Sequence, residues 1–149
     1  MRELHRILAA EDNPFDAFLL KRAFLKAGIN VPMDVVTDGQ EVIDYLNGEE
    51  PYSDRKQHPI PTVLVLDLKM PRLSGFDVIE WIRRQPGLRR LPILVLTSSN
   101  LSRDVNRAYD LGANSYLVKP SELQDLEQVA AAVERYWLKI NECPDCESH

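Results

Sequence analysis

Long apolar runs are missing from this chain. No stretch approaches the roughly 20 residues that a membrane-spanning helix needs, and Met1-Arg2-Glu3-Leu4-His5 leads into a strand-like segment without a signal-peptide pattern. An intracellular, cytoplasmic protein is the expectation. An excess of positive charge is missing too: 18 Lys and Arg face 23 Asp and Glu, a formal net charge of -5. That balance argues against DNA or RNA binding through a basic surface, which needs clustered cations to neutralise phosphates. Arg83, Arg84, Arg89 and Arg90 do gather, on and just after a predicted helix, where a solvated face accounts for them. Cysteine is scarce: Cys143 and Cys146 lie in Cys-Pro-Asp-Cys near the end, with His149 beyond. Zinc usually takes four ligands, and no second pair exists. A redox pair would normally open a helix, where the dipole lowers the thiol pKa. This one trails off the chain, so residues 142–149 read as a flexible tail. Internal repeats and low-complexity linkers are also absent. A chain of 149 residues then suits one domain with one core, placed at 1–141.

What the chain does contain is alternation. Arg6-Ile7-Leu8-Ala9-Ala10 is a short buried strand, and Asn13-Pro14 opens a helix whose apolar side is Phe15, Leu19, Leu20, Ala23, Phe24 and Ala27. Met33 to Thr37 is a second strand. Asp38-Gly39-Gln40-Glu41 reads as a capping box for a helix running to Gly48. The polar segment 49–61, with Pro51, Pro59 and Pro61, reads as an exposed loop. Thr62 to Leu66 is a strand buried on both faces. Ser74 or Gly75 starts a helix ended by Pro86-Gly87. Pro92 to Thr97 is the fourth strand, and a helix with a narrow stripe (Leu101, Val105, Ala108, Leu111) runs to Gly112. Ser115 to Val118 is the fifth strand. Ser121-Glu122-Leu123-Gln124 reads as a second capping box, for a helix that turns Leu123, Leu126, Val129, Ala130, Val133, Trp137 and Ile140 inward. Five βα units imply an α/β fold, a doubly wound five-stranded parallel sheet with helices on both faces. Pattern alone leaves the strand order open.

All carboxyl ends of a parallel sheet share one edge, where such folds place ligands. That edge carries Glu11 and Asp12 after the first strand, Asp67 after the third, Thr97 on the fourth and Lys119 after the fifth. Three converging carboxylates repel one another unless a cation intervenes. Mg²⁺ takes a few carboxylates, a carbonyl and waters. With the ammonium of Lys119 and the hydroxyl of Thr97, the set suits phosphoryl transfer to a carboxylate.

Glu11-Asp12-Asn13-Pro14, Leu66-Asp67-Leu68-Lys69-Met70-Pro71 with Gly75, Leu96-Thr97-Ser98, Gly112-Ala113 and Tyr116-Leu117-Val118-Lys119-Pro120 resemble the receiver domain of two-component response regulators. Tyr109-Asp110-Leu111-Gly112-Ala113-Asn114, the loop before Asp67 and Trp137-Leu138 are similar to the single-domain regulators of bacterial phytochromes. The resemblance implies a flavodoxin-like (βα)5 fold with strand order 2-1-3-4-5. It implies a phosphoacceptor at Asp67, and Mg²⁺ held by Glu11, Asp12, Asp67 and the Lys69 carbonyl. Lys119 would pair with the phosphoryl, Thr97 and Tyr116 would switch, and the Lys119–Pro120 peptide is often cis. Lys69 and Ser99 fall where side chains tune the phosphoryl's survival. Implied partners are a sensor histidine kinase, of phytochrome type by the narrower likeness, and a second copy through the helix 4–strand 5–helix 5 face. No DNA-binding output domain is expected, since the chain ends soon after the last helix. An unphosphorylated scaffold is a rival, as is an aspartate-nucleophile phosphatase, although the second acid of such enzymes is replaced by Lys69. A flavodoxin-like cofactor binder lacks its Gly-rich phosphate loop here.

Overall fold

A computed structural model describes residues 5–147. Strands β1 (Ile7–Ala10), β2 (Met33–Val36), β3 (Val63–Leu66), β4 (Ile93–Thr97) and β5 (Ser115–Val118) alternate with helices α1 (Pro14–Lys26), α2 (Gly39–Asn47), α3 (Gly75–Arg84), α4 (Ser102–Leu111) and α5 (Leu123–Ala132). The helix α5 continues as a π-helical segment, Val133–Ile140. All pairings are parallel and the order is β2-β1-β3-β4-β5, as the resemblance implied.

The period-2 side-chain alternation of strands divides the core in two. Leu8, Ala10, Leu64, Leu66, Ile93 and Val95 meet α2, α3 and Ala108 of α4 on one face. Ile7, Ala9, Val63, Val65, Leu94 and Leu96 meet Leu20, Ala23 and Phe24 of α1, Leu126 and Ala130 of α5 and Val133 of the π-helical segment on the other. Burial on both faces explains why the central strands are unbroken aliphatic runs.

Several local expectations are corrected. Asp38 caps α2 by accepting from the Glu41 amide, but the Glu41 carboxylate takes the Thr37 amide and hydroxyl and the Tyr52 hydroxyl instead of closing a box. Burial disfavours that charge, yet the three donated bonds outweigh it and lower the Glu41 pKa. No box forms at Ser121, because α5 begins one residue too late and Glu122 holds the cap position. A reciprocal box does form at Ser74 and Asp77. Phe15 is 66% exposed and Ile140 60% exposed, so neither faces inward. The π-helical segment explains the second error: its wider turn carries the inward face from Val133 to Leu138, and Ile140 falls outside.

Arg83 is not part of a solvated face. Its guanidinium donates to the carbonyls of Gly112, Arg89 and Leu91 and to the Asn114 side chain, at 2.7–2.9 Å. The 49–61 loop is likewise not simply exposed. Arg55 satisfies the terminal carbonyls of α2 at Tyr45 and Leu46, and the rings of Tyr45, Tyr52 and His58 pack together. Beyond the π-helical segment, Cys146 packs against the core and the Glu147 amide donates to the Gly87 carbonyl. Among the described residues no helix is long and apolar enough to cross a membrane.

Candidate functional site

The ladder hydrogen bonds run past the strand ends and thereby fix the site. The Glu11 amide donates to Val36, the Asp67 amide to Ala10 and the Lys119 amide to Thr97, all at 2.8–3.1 Å. The ends of β2, β1 and β3, and those of β4 and β5, are thus tied to one another, and the side chains beyond them converge. Glu11, Asp67 and Thr97 are 5%, 6% and 0% exposed, whereas Asp12 is open to solvent.

Asp67 is held through both oxygens. Thr97 Oγ1 donates to Oδ1 at 2.7 Å, the Lys69 amide points at the same oxygen from 3.3 Å, and Lys119 Nζ donates to Oδ2 at 2.8 Å. The ammonium also meets Glu11 Oε1 at 2.5 Å and Asp16 Oδ2 at 3.1 Å. The remaining Glu11 oxygen accepts the Asn13 amide at 3.0 Å. Burial works against a charged lysine, but bonds and attraction from Asp67 and Glu11 outweigh it and raise the Lys119 pKa. Burial raises the Glu11 pKa, which its bonds to Lys119 and Asn13 offset only in part.

Glu11, Asp12 and Asp67 each offer an oxygen, all within 4.8 Å of one another. Two of these acids are buried and one is open to solvent, a donor set that fits a small hard cation retaining waters. The site opens into a cleft of about 640 Å³, bordered by Asp12, Lys69, Met70, Phe76, Ser99 and Arg107.

Tyr116 stands apart from the carboxylates, its hydroxyl donating to the Ser99 carbonyl at 2.9 Å. Burial pushes its pKa up. The Ser99 hydroxyl is turned to Asp104 at 2.6 Å. The Lys119–Pro120 peptide is trans, since the one cis bond among the described residues joins Glu50 to Pro51. The ammonium reaches all three carboxylates from the trans form. Asp16 escaped the sequence reading because 103 residues separate it from Lys119. Its place in the first turn of α1, directly above the strand ends, was the available signal.

Gly75 packs its α-carbon on the Asp67 carbonyl and the Leu68 backbone, leaving no room for a Cβ. Gly75→Ala is therefore expected to destabilise the fold by about 1–3 kcal/mol through overpacking. Urea unfolding measures this, and a midpoint equal to the wild type would contradict the tight fit.

Residues 7–131 match the family described as "Response regulator receiver domain". The chain belongs to that family. This receiver is 36% identical to the probable methanogenesis regulatory protein FilR2 of Methanothrix harundinacea, over 93% of this chain and 86% of that one. Its fold superposes on the response regulator RPA3017 in red light signaling of R. palustris with a TM-score of 0.90, at 33% identity, over 95% and 99% of the two chains. The phosphorylated cyanobacterial phytochrome response regulator RcpA gives a TM-score of 0.86 at 31% identity, over 95% and 99%.

Proposed function

We propose that this receiver accepts a phosphoryl group on Asp67 from a phosphohistidine of a sensor kinase, and signals through changed protein contacts. The observation that carries the reading is the Asp67 carboxylate itself: buried at a strand end, bonded by Thr97 and Lys119, and flanked by Glu11 and Asp12. In the transfer the P–N bond of the donor breaks as an O–P bond to Asp67 forms, and the imidazole leaves with the electron pair. Lys119 holds its charge against the oxygens of the moving group, and Thr97 donates to one of them. Glu11, Asp12, Asp67 and the Lys69 carbonyl would hold Mg²⁺, which when bound neutralises part of the charge on the transferring oxygens. Water later attacks phosphorus and returns the free carboxylate. Lys69 and Ser99, at the cleft, line its approach.

The gain of about two negative charges draws Thr97 toward the phosphoryl, and Tyr116 leaves the Ser99 carbonyl to follow it inward. The population shifts on the face formed by α4, β5 and α5. Tyr109, Val118 and Tyr136 are exposed there and suit a partner or a second copy of this chain. The likeness to RcpA and RPA3017 supports a phytochrome-type kinase, and a cytoplasmic setting follows from that partner's output side. Output runs through protein contact rather than through DNA.

Incubation with acetyl phosphate and Mg²⁺, followed by intact mass measurement, tests the reading. One phosphoryl should be gained, and chelation of the metal should reduce its rate of incorporation at least tenfold, about 1.4 kcal/mol of barrier. A protein that gains nothing is a scaffold, and one that turns over phosphate monoesters is a phosphatase.

A further inference from the structure

Arg107 lies on α4, on the outer wall of the cleft bordered by Asp12 and Lys69. Its guanidinium carbon sits 4.2 Å from the centroid of the Phe76 ring, so α4 and α3 meet across the cleft mouth. Among the described residues it forms no ion pair. The ring is its partner, and a cation held on an aromatic face keeps its full charge. Asp104, one helical turn earlier, turns its Oδ2 to the Ser99 hydroxyl and makes no ion pair with the guanidinium.

Charge inside the site is distributed differently. Lys119 is shared among Glu11, Asp16 and Asp67, three acids against one base. An incoming phosphoryl donor, itself anionic, meets Asp12 and Asp104 on the cleft walls. Lys69 and Arg107 are the cations bordering that path, and Arg107 is the one whose position is fixed by a ring.

We propose that Arg107, pinned on Phe76, is a donor-binding residue that captures anionic phosphoryl donors at the cleft mouth before the transfer at Asp67. This rests on the reading of Asp67 as the acceptor. An electrostatic capture outside the reacting atoms acts on association and leaves the chemical step alone. Its effect is confined to KM and screened by salt, because the Debye length shortens from about 10 Å at 0.1 M to 3 Å at 1 M.

The test measures initial rates of phosphoryl uptake from acetyl phosphate at saturating Mg²⁺, by quenched intact mass, for the wild type, Arg107→Gln and Arg107→Lys. Arg107 is exposed, so both variants should fold. Arg107→Gln should raise KM roughly fivefold with kcat unchanged, as expected for loss of one solvent-exposed charge contact. Arg107→Lys should stay within about twofold of wild type, and the gap between Gln and wild type should close in roughly 1 M salt. An unchanged KM in Arg107→Gln overturns the proposal, as does a Lys variant that performs like the Gln one, or a gap that persists in salt. A wild type that takes up phosphoryl normally keeps the Asp67 reading intact in each of those cases. A wild type that takes up none overturns both.

Discussion

Asp67→Asn should leave a folded protein that takes up no phosphoryl, with incorporation falling to the assay background. The amide has almost the same shape as the carboxylate but lacks its nucleophilic charge. Thr97 still finds an acceptor oxygen, and Lys119 keeps Glu11 and Asp16 as partners. One of three carboxylates facing a single ammonium is removed, so less repulsion remains. The thermal midpoint should therefore equal or exceed that of wild type. Intact mass after acetyl phosphate treatment checks the first half, and a melting curve the second. Phosphoryl that persists in this variant would place the acceptor on another residue.

Lys119→Met should cost about 3–5 kcal/mol of stability near neutral pH, the usual result of removing one partner from a buried ion pair. It strands Asp67 and Glu11, both buried, and the half-exposed Asp16. The pH dependence follows from the shifts. In the wild type Lys119 has a raised folded pKa. Its contribution is therefore complete below the ordinary lysine value of about 10.4 and is lost as pH climbs through the folded value. Glu11 is a carboxyl whose folded pKa is already raised, first by burial. Without the ammonium it rises further, and the folded state then binds more protons than the unfolded one. Stability of the variant should be lost as pH rises from the ordinary carboxyl range through that raised value, and recover as pH falls back through it. Urea midpoints in metal-free buffer at about pH 5 and pH 8 decide the matter, since the deficit should be smaller at the lower pH. A deficit independent of pH would mean lost packing by the lysine stem instead.

The strand ends were legible because a parallel sheet fixes their location regardless of detail. Once five parallel strands are found, Glu11, Asp12, Asp67, Thr97 and Lys119 must share an edge. Their meeting is a property of topology, and the strand order needed the family resemblance. Side-chain direction near helix ends was not legible. Phe15 follows the apolar spacing of α1 yet sits in its first turn, above the sheet's edge with nothing to cover it. Ile140 fits a 3.6-residue period that the π-helical turn does not keep. Arg83 looked like its exposed neighbours because its acceptors are backbone carbonyls and one amide side chain, as far as Asn114. The Asp16–Lys119 pair was hidden in the same way, and the Ser99–Asp104 bond was overlooked although only five residues separate its partners.

The bonds of Arg83 have one more implication. They bolt the carbonyl just past α4, at Gly112, to the end of α3 and the start of β4. At its other end α4 has no side-chain cap, and its single buried residue is Ala108. The helix is therefore mounted like a lever on a fulcrum at Gly112, with its tip tied to Ser99 through Asp104. A displacement applied at that tip would move Leu101 the most and Leu111, beside the Arg83 bonds, the least.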